Sequence, residues 1–178
     1  MPPSEAPVEI VSYDPSWPSR FAEEADILRL ALAEWRSGPI EHIGSTAVPG
    51  LSAKPVIDIM LGVSTLEASR PAIAAAAGLG YCYFPYRVEE EHWFCKPSPA
   101  FRTHHLHLIP VNSPRWRQSI AFRDYLRAHP NVSAEYEMLK RRLAQEHHLD
   151  REAYTEAKRP FIDRVTSLAM EKAPEDDR

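Results

Sequence analysis

An aspartate and two histidines on strand-like segments are the side chains of this sequence that most clearly suggest chemistry. Asp58 is the acidic residue within an apolar, β-branched run, residues 56–63. His105 and His107 lie in the sequence THHLHLIP, residues 103–110. Because residues two apart on a strand point to the same face, the two imidazoles share one face. A carboxylate and two imidazoles are a donor set that suits zinc, manganese and related divalent metals.

Each of these side chains also has a purely structural interpretation. An isolated ionised carboxylate is rarely buried, because its desolvation costs on the order of several kcal/mol. Asp58 therefore needs a metal, a cationic partner or backbone amides around it. His105 and His107 could instead hydrogen-bond an anion without a metal, or pack in the core. The sequence leaves these alternatives open.

A glycine-serine turn ahead of Asp58 suggests a phosphate-binding site. Gly44 permits a ligand to approach the backbone closely, and Ser45 adds a hydroxyl to the exposed N–H groups. Lys54 follows Gly44 by ten residues and would supply a positive charge. Alternatively, Ser45 caps a short helix and Lys54 reaches solvent. Together with Asp58 these residues are the parts of a phosphoryl- or nucleotidyl-transfer site, in which Asp58 and Ser45 are the candidate catalytic residues.

Basic side chains recur at helical spacing in the second half of the chain. They occur in pairs of residues four apart, each on one helix face: Arg123 with Arg127, Tyr136 with Lys140, and Tyr154 with Lys158. A ring beside a cation suits a nucleotide pocket, because the ring stacks on a base and the cation meets a phosphate. The same spacing is also typical of ordinary amphipathic packing. The predicted phosphate contacts of this group are Arg123, Lys140 and Lys158. Arg102, just before the histidine segment, is a further predicted phosphate contact.

Hydrophobic periodicity predicts the elements that position these residues. An apolar stripe predicts a helix that begins near Ser16 and is ended by Gly38-Pro39. Runs rich in β-branched and aromatic residues predict strands over residues 40–44, 56–63, 81–86, 92–96 and 103–110. A capping-box sequence at residues 64–67 predicts a helix between the second and third of these strands. The acidic run 89–91 is predicted to be a solvent-exposed turn.

Helices are predicted for the rest of the chain, over residues 113–128, 133–148 and 150–172. Pro160 lies within the last of them and predicts either a kink there or a helix that begins later. The fold class is therefore α/β (α+β), a mixed sheet flanked by helices with a C-terminal three-helix extension. We expect one domain over residues 1–178, with an α/β core over 8–112 and a helical part over 113–172.

Composition excludes several classes of protein. The chain has 178 residues, 44% of them apolar, so a substantial core is expected rather than disorder. The net charge of −4 does not favour nucleic acid as a partner. Two cysteines are too few for a disulfide framework, and neither a leader sequence nor a membrane-spanning apolar run is visible. We therefore expect a cytoplasmic protein; the oligomeric state is not indicated.

The segment HIGSTAVPGLSAKPVIDIML, residues 42–61, resembles the signature of the GrpB family of bacterial proteins. Further segments resemble blocks of the same family, and the resemblance spans nearly the whole chain: YDPSWPSRF, THHLHLIP, FRDYLRAHP, EYEMLKRRLA and AYTEAKRPFI. The resemblance implies a nucleotidyltransferase-like fold, related to that of DNA polymerase beta. It also implies a metal-dependent protein that acts on, or binds, a nucleotide or a phosphorylated cofactor. A non-catalytic accessory or sensor domain that binds such a ligand is the alternative.

The nucleotidyltransferase superfamily combines a Gly-Ser motif, an Asp-x-Asp pair on the next strand and a third carboxylate on a neighbouring strand. Gly44-Ser45 and Asp58 match the first two elements, whereas Met60 stands in the place of the second aspartate. A thioether is a poor ligand for a hard cation. His105 and His107 lie at about the place of the third carboxylate, so we expect them to hold, with Asp58, a divalent metal: magnesium, manganese or zinc.

Overall fold

The computed structural model describes residues 6–172, and the other positions of the predicted domain lie outside the described residues. Its centre is a five-stranded mixed sheet with the spatial order β1-β2-β5-β4-β3. The central pair β2 and β5 is parallel, and the other neighbours are antiparallel. The strands are β1 Arg36–Ile43, β2 Ile57–Val63, β3 Cys82–Phe84, β4 His92–Pro97 and β5 Arg102–Pro110.

Helices cover both faces of the sheet. Helices α1 and α2 pack with the face that carries the main hydrophobic core, and the later helices follow the last strand. The helices are α1 Trp17–Ala31, α2 Ala72–Gly78, α3 Pro114–Ala128, α4 Pro130–Glu146, α5 Arg151–Ala157 and α6 Arg159–Lys172. The predicted mixed α/β fold is confirmed. Among residues 6–172, no helix has both the length and the apolar character needed to cross a membrane.

Strand β2 is apolar on both faces because it lies between two other strands and is covered on both sides. Ile57, Ile59 and Leu61 point into the main core, together with Leu106 of β5. Asp58 and the following alternate residues point to the opposite face, which we call the cleft face. Part of that face is covered by α3, whose Trp116 packs with buried Met60, Ile43 and Ile109.

Several element boundaries differ from those predicted. Helix α2 begins at Ala72 rather than at the capping box of residues 64–67, and α4 begins at Pro130 rather than at residue 133. Strand β1 begins at Arg36 and includes Gly38-Pro39, which the sequence predicted as the end of the first helix; its pairing with β2 is irregular between Arg36 and Ile40. The predicted last helix is divided at Lys158 into α5 and α6. Pro160 then falls in the first turn of α6, where a proline removes no helical hydrogen bond.

Candidate metal and anion site

The parallel pairing of β2 with β5 brings the predicted carboxylate and imidazoles together. Asp58 pairs with His105, and Met60 pairs with His107, so these side chains share the cleft face. Asp58 Oδ1 lies 2.8 Å from His105 Nδ1 and 3.7 Å from His107 Nε2. One ligand atom from each of the three residues lies within 4.8 Å of the other two. The cluster therefore has the compactness that a single metal ion requires.

The charges within this cluster depend on burial and on close partners. Burial opposes ionisation of Asp58, but the hydrogen bond from His105 and the nearby imidazole of His107 outweigh it and hold the pKa of Asp58 below its usual range. Burial also lowers the pKa of His105. For His107 burial acts in the same direction, but the neighbouring Glu91 outweighs it and raises the pKa to about 9.

Glu91 belongs to this site, and its prediction as part of a solvent-exposed turn is wrong. Glu89 and Glu90 are exposed, but the side chain of Glu91 is fully buried. His107 Nδ1 donates to Glu91 Oε2 at 2.5 Å, and Arg115 Nη2 lies 3.5 Å from Glu91 Oε1. Its position at the entry to β4, beside β5, produces this contact. Nothing in the local sequence distinguishes Glu91 from its two acidic neighbours.

The donor set fits a divalent metal. His105 Nε2 and His107 Nε2 are buried and have no hydrogen-bond partner among residues 6–172. Because His107 Nδ1 donates to Glu91, the lone pair of the neutral ring, the form that binds a metal, lies on Nε2, 3.7 Å from Asp58 Oδ1. A carboxylate behind a metal-ligating histidine is the usual way in which proteins fix the tautomer and orientation of such a ring. Two imidazoles and a carboxylate suit zinc or manganese better than magnesium.

The glycine-serine turn packs directly against Asp58. Gly44 has a φ of +71°, and a Cβ atom at this position would overlap Asp58 Oδ2. Ser45 begins a 3-10 turn, Ser45–Ala47, and lies beside Tyr136. Gly44 is therefore required both by the backbone conformation and by the close approach of the carboxylate.

We expect Gly44→Ala to weaken both the fold and the metal site. Alanine in this backbone conformation costs about 1–2 kcal/mol of unfolding free energy, and the new methyl group would also displace Asp58. Gly50→Ala is the matched control, because Gly50 has a φ of +80° but open space around it. Denaturant unfolding and metal titration of both variants would test this; equal losses in the two variants would contradict the proposed contact.

Three lysines surround the same cleft without acidic partners. No carboxylate lies within ion-pair distance of Lys54, Lys140 or Lys158 in the part of the chain that the structure describes. Lys54 and Lys158 lie 5.0 Å and 4.4 Å from the centre of the Tyr154 ring, and Lys140 lies 4.8 Å from that of Tyr136. Lys140 also donates to the backbone carbonyl of Ser52.

Burial lowers the pKa values of these three ammonium groups, and mutual repulsion adds to it for Lys54 and Lys140. Burial, with repulsion from Lys158 next in size, lowers the pKa of Lys54 and of Lys140 to about 7. Burial, partly offset by Asp58, lowers the pKa of Lys158 to about 8. An anion bound in the cleft would compensate the desolvation cost of the charged lysines and weaken their mutual repulsion.

Of the two arginines predicted to contact phosphate, one lines the cleft and the other does not. Arg102 lines the cleft, with its guanidinium 5.4 Å from the Trp93 ring. Arg123 does not line the cleft: it is ion-paired with Glu41 at 2.6 Å and with Asp124 at 2.8 Å. Its charge is already neutralised on α3, so the prediction that Arg123 contacts phosphate does not fit its position.

The cleft has a volume of about 980 Å³. It lies between the sheet and the C-terminal helices. Its lining includes most of the predicted site residues: Gly44, Ser45, Lys54, Asp58, Arg102, His105, His107, Lys140 and Lys158. The structure thus collects on one surface residues that the sequence separates by more than a hundred positions.

This fold and cleft define a mixed α/β protein with a candidate metal centre beside a cationic pocket. The sequence model of the GrpB family, described as GrpB protein, matches residues 7–168. The chain therefore belongs to the GrpB family.

Individual relatives agree with this assignment. A UPF0157 protein of Pseudomonas aeruginosa is 40% identical over 168 residues, covering 92% of this chain and 68% of the relative. The glutamate-rich protein GrpB of Alkalihalophilus pseudofirmus is 33% identical, covering 89% of this chain and 93% of the relative. The crystal structure of the conserved protein GrpB from Enterococcus faecalis superposes with a TM-score of 0.84 at 34% identity, covering 92% of this chain and 98% of that one.

Proposed function

We propose that the cleft binds a phosphorylated small molecule, a nucleotide or a phosphorylated cofactor, and transfers its phosphoryl or nucleotidyl group with the help of a divalent metal. The observation that carries this proposal is the set of three lysines that share a cleft with Asp58 and, within the described residues, have no carboxylate at ion-pair distance. Buried like charges are unfavourable unless a ligand compensates them. A phosphate group has the charge and the acceptor oxygens to do so.

Different residues of the cleft would bind the phosphates and the metal. Lys54, Lys140 and Lys158 neutralise phosphate charge, and Gly44-Ser45 offers backbone N–H groups and a hydroxyl near Asp58. Asp58, His105 and His107 would hold the metal. When bound, that metal supplies a Lewis acid that polarises a phosphorus–oxygen bond toward attack by an acceptor.

Met60 favours a second candidate function, binding without transfer. Its side chain is fully buried in an apolar cluster with Ile43, Ile109 and Trp116. A nucleotidyltransferase of the type that the sequence resembles carries a carboxylate at this position, and no acidic residue replaces it in the cluster of residues 6–172 that could hold a metal. An accessory or sensor domain needs only the binding step.

Turnover separates the two candidates. The purified protein would be incubated with a labelled nucleoside triphosphate, Mn²⁺ and a panel of acceptors. We expect release of pyrophosphate or labelled product if the site transfers groups. Binding of the labelled nucleotide without any consumption would instead support the accessory function.

We expect the lysines to make ligand binding dependent on pH. Affinity for a nucleoside triphosphate should fall by about tenfold or more between about pH 7.5 and 9.5, because the phosphates are already ionised there and binding requires the lysines of the free protein to take up protons. Binding near pH 8 should also take up protons, because the anion raises the lowered pKa values of Lys54, Lys140 and Lys158. Calorimetric titration in two buffers of different ionisation enthalpy measures this uptake.

The variant Lys158→Met is a second test of the proposal that the cleft lysines bind the phosphates of the ligand. It should weaken binding and reduce the proton uptake while leaving the free energy of unfolding unchanged or higher. A lysine whose folded pKa lies below its ordinary 10.5 destabilises the fold at neutral pH, and this cost is removed with the charge. Arg142→Met, at an exposed position of α4, is the matched control. Equal binding by wild type and Lys158→Met would overturn the proposed function.

A further inference from the structure

An aromatic surface lines the cleft next to the histidines, which we call the aromatic ledge and define as Phe84, Tyr86 and Trp93. Phe84 pairs with Trp93 across β3 and β4, so both side chains lie on the cleft face. The Trp93 ring centroid lies 5.9 Å from that of Phe84 and 6.3 Å from that of Tyr86. Phe84 is 37% exposed and Tyr86 is 41% exposed. The ledge therefore presents ring surface to the cleft.

The ledge is continuous with the candidate metal site. Trp93 pairs with His107 across β4 and β5, and its ring lies 5.0 Å from that of His105. Arg102 stands over the Trp93 ring and also acts on the charge of Lys54. A ligand whose phosphates contact the lysines can thus extend over the metal site onto the ledge within one cleft.

The tyrosines that the sequence suggested for base stacking are occupied by other groups. Tyr136 and Tyr154 are almost completely buried. One side of the Tyr136 ring is stacked on Phe161, with the centroids 4.9 Å apart, and Lys140 lies against the ring. Lys54 and Lys158 both lie against Tyr154. These two rings are therefore too deeply buried to stack on a base.

We infer that the aromatic ledge is a stacking subsite for the heteroaromatic base of the ligand. This rests on the proposed function and narrows its ligand to the nucleotide class, in which a planar ring is joined to phosphates. Planar rings stack well on exposed aromatic faces, and Arg102 can contact such a ring beside Trp93. The lysines alone would accept any polyphosphate, so the ledge is the part of the cleft that selects a base.

The test compares two probes on the full chain: inorganic tripolyphosphate and a nucleoside triphosphate, both with Mn²⁺ at pH 7. In the wild-type protein the nucleoside triphosphate should bind about tenfold or more tightly than tripolyphosphate. Trp93→Ala should remove most of this difference and leave tripolyphosphate affinity unchanged. Tyr86→Ala, at a more exposed position, should reduce the difference as well and serves if Trp93→Ala folds poorly.

Phe101→Ala is the matched control, because Phe101 is 61% exposed and does not line the cleft. This variant should bind both probes like the wild type. Equal wild-type affinity for the two probes, or a preference that survives both ledge variants, would overturn the stacking subsite and leave the proposed function intact. Failure of both probes to bind would overturn the proposed function and the subsite with it.

Discussion

Asp58→Ala should lower the affinity for Mn²⁺ or Zn²⁺ by on the order of 100-fold or more and abolish metal-dependent nucleotide binding. Asp58 supplies the negative charge of the cluster, and both His105 and His107 point a ring nitrogen toward it. Removing it leaves two imidazoles with no anionic ligand, which bind hard or borderline cations weakly. Calorimetric titration with each metal, and with a nucleoside triphosphate in the presence and absence of metal, measures both losses.

Two further variants isolate the role of this carboxylate. Asp58→Asn keeps the shape of the side chain and should lose most of the metal affinity, because the charge is removed. Asp26→Ala removes an exposed carboxylate on α1 and should bind metal like the wild type. Thermal unfolding of the three proteins without metal separates loss of the site from loss of the fold. Full metal affinity in a folded Asp58→Ala protein would rule out the assignment.

Glu91→Gln should weaken metal binding by about 10–100-fold, although Glu91 is not expected to contact the metal. The carboxylate accepts the Nδ1 hydrogen of His107 and so holds Nε2 in the orientation and tautomer that a metal needs. Glutamine can still accept this hydrogen bond but no longer strengthens the basicity of the ring. Glu91→Ala should have a larger effect, because it leaves both His107 and Arg115 without their buried partner.

Glu90→Gln is the control for this pair, since Glu90 is adjacent and exposed. It should bind metal like the wild type. A purely structural role of Glu91 would lower the free energy of unfolding in both Glu91 variants without changing the metal affinity of the folded protein. An ordering of affinity from wild type to Glu91→Gln to Glu91→Ala, with Glu90→Gln unchanged, would support the positioning role.

Local patterns in the sequence were sufficient to predict the strands that carry the site. The alternation in THHLHLIP placed His105 and His107 on one face, and the apolar run around Asp58 predicted a covered strand; both strands are present as β2 and β5. The spacing of Tyr136 with Lys140 and of Tyr154 with Lys158 predicted ring–cation neighbours, which the structure contains. The strand and helix repeats determine these contacts, because residues two apart on a strand or four apart on a helix lie on the same face.

Contacts between distant segments could not be predicted in this way. Glu91 was predicted to lie in a solvent-exposed turn but is buried against His107. Arg123 was predicted to contact phosphate, but its charge is paired with Glu41 and Asp124. Trp93 joined the site because β4 pairs with β5 in the register that sets it opposite His107. Strand register and helix docking depend on the packing of the whole chain, which no local spacing encodes.

The sequence by itself therefore indicated most of the candidate site residues and determined which of them share a strand or helix face. Only the tertiary structure decided that Asp58, the two histidines and the three lysines line one cleft, and that Glu91 and the aromatic ledge border it. The physical reason is that side-chain direction follows from backbone periodicity. Charge pairing, burial and pocket shape arise instead where segments far apart in the chain meet.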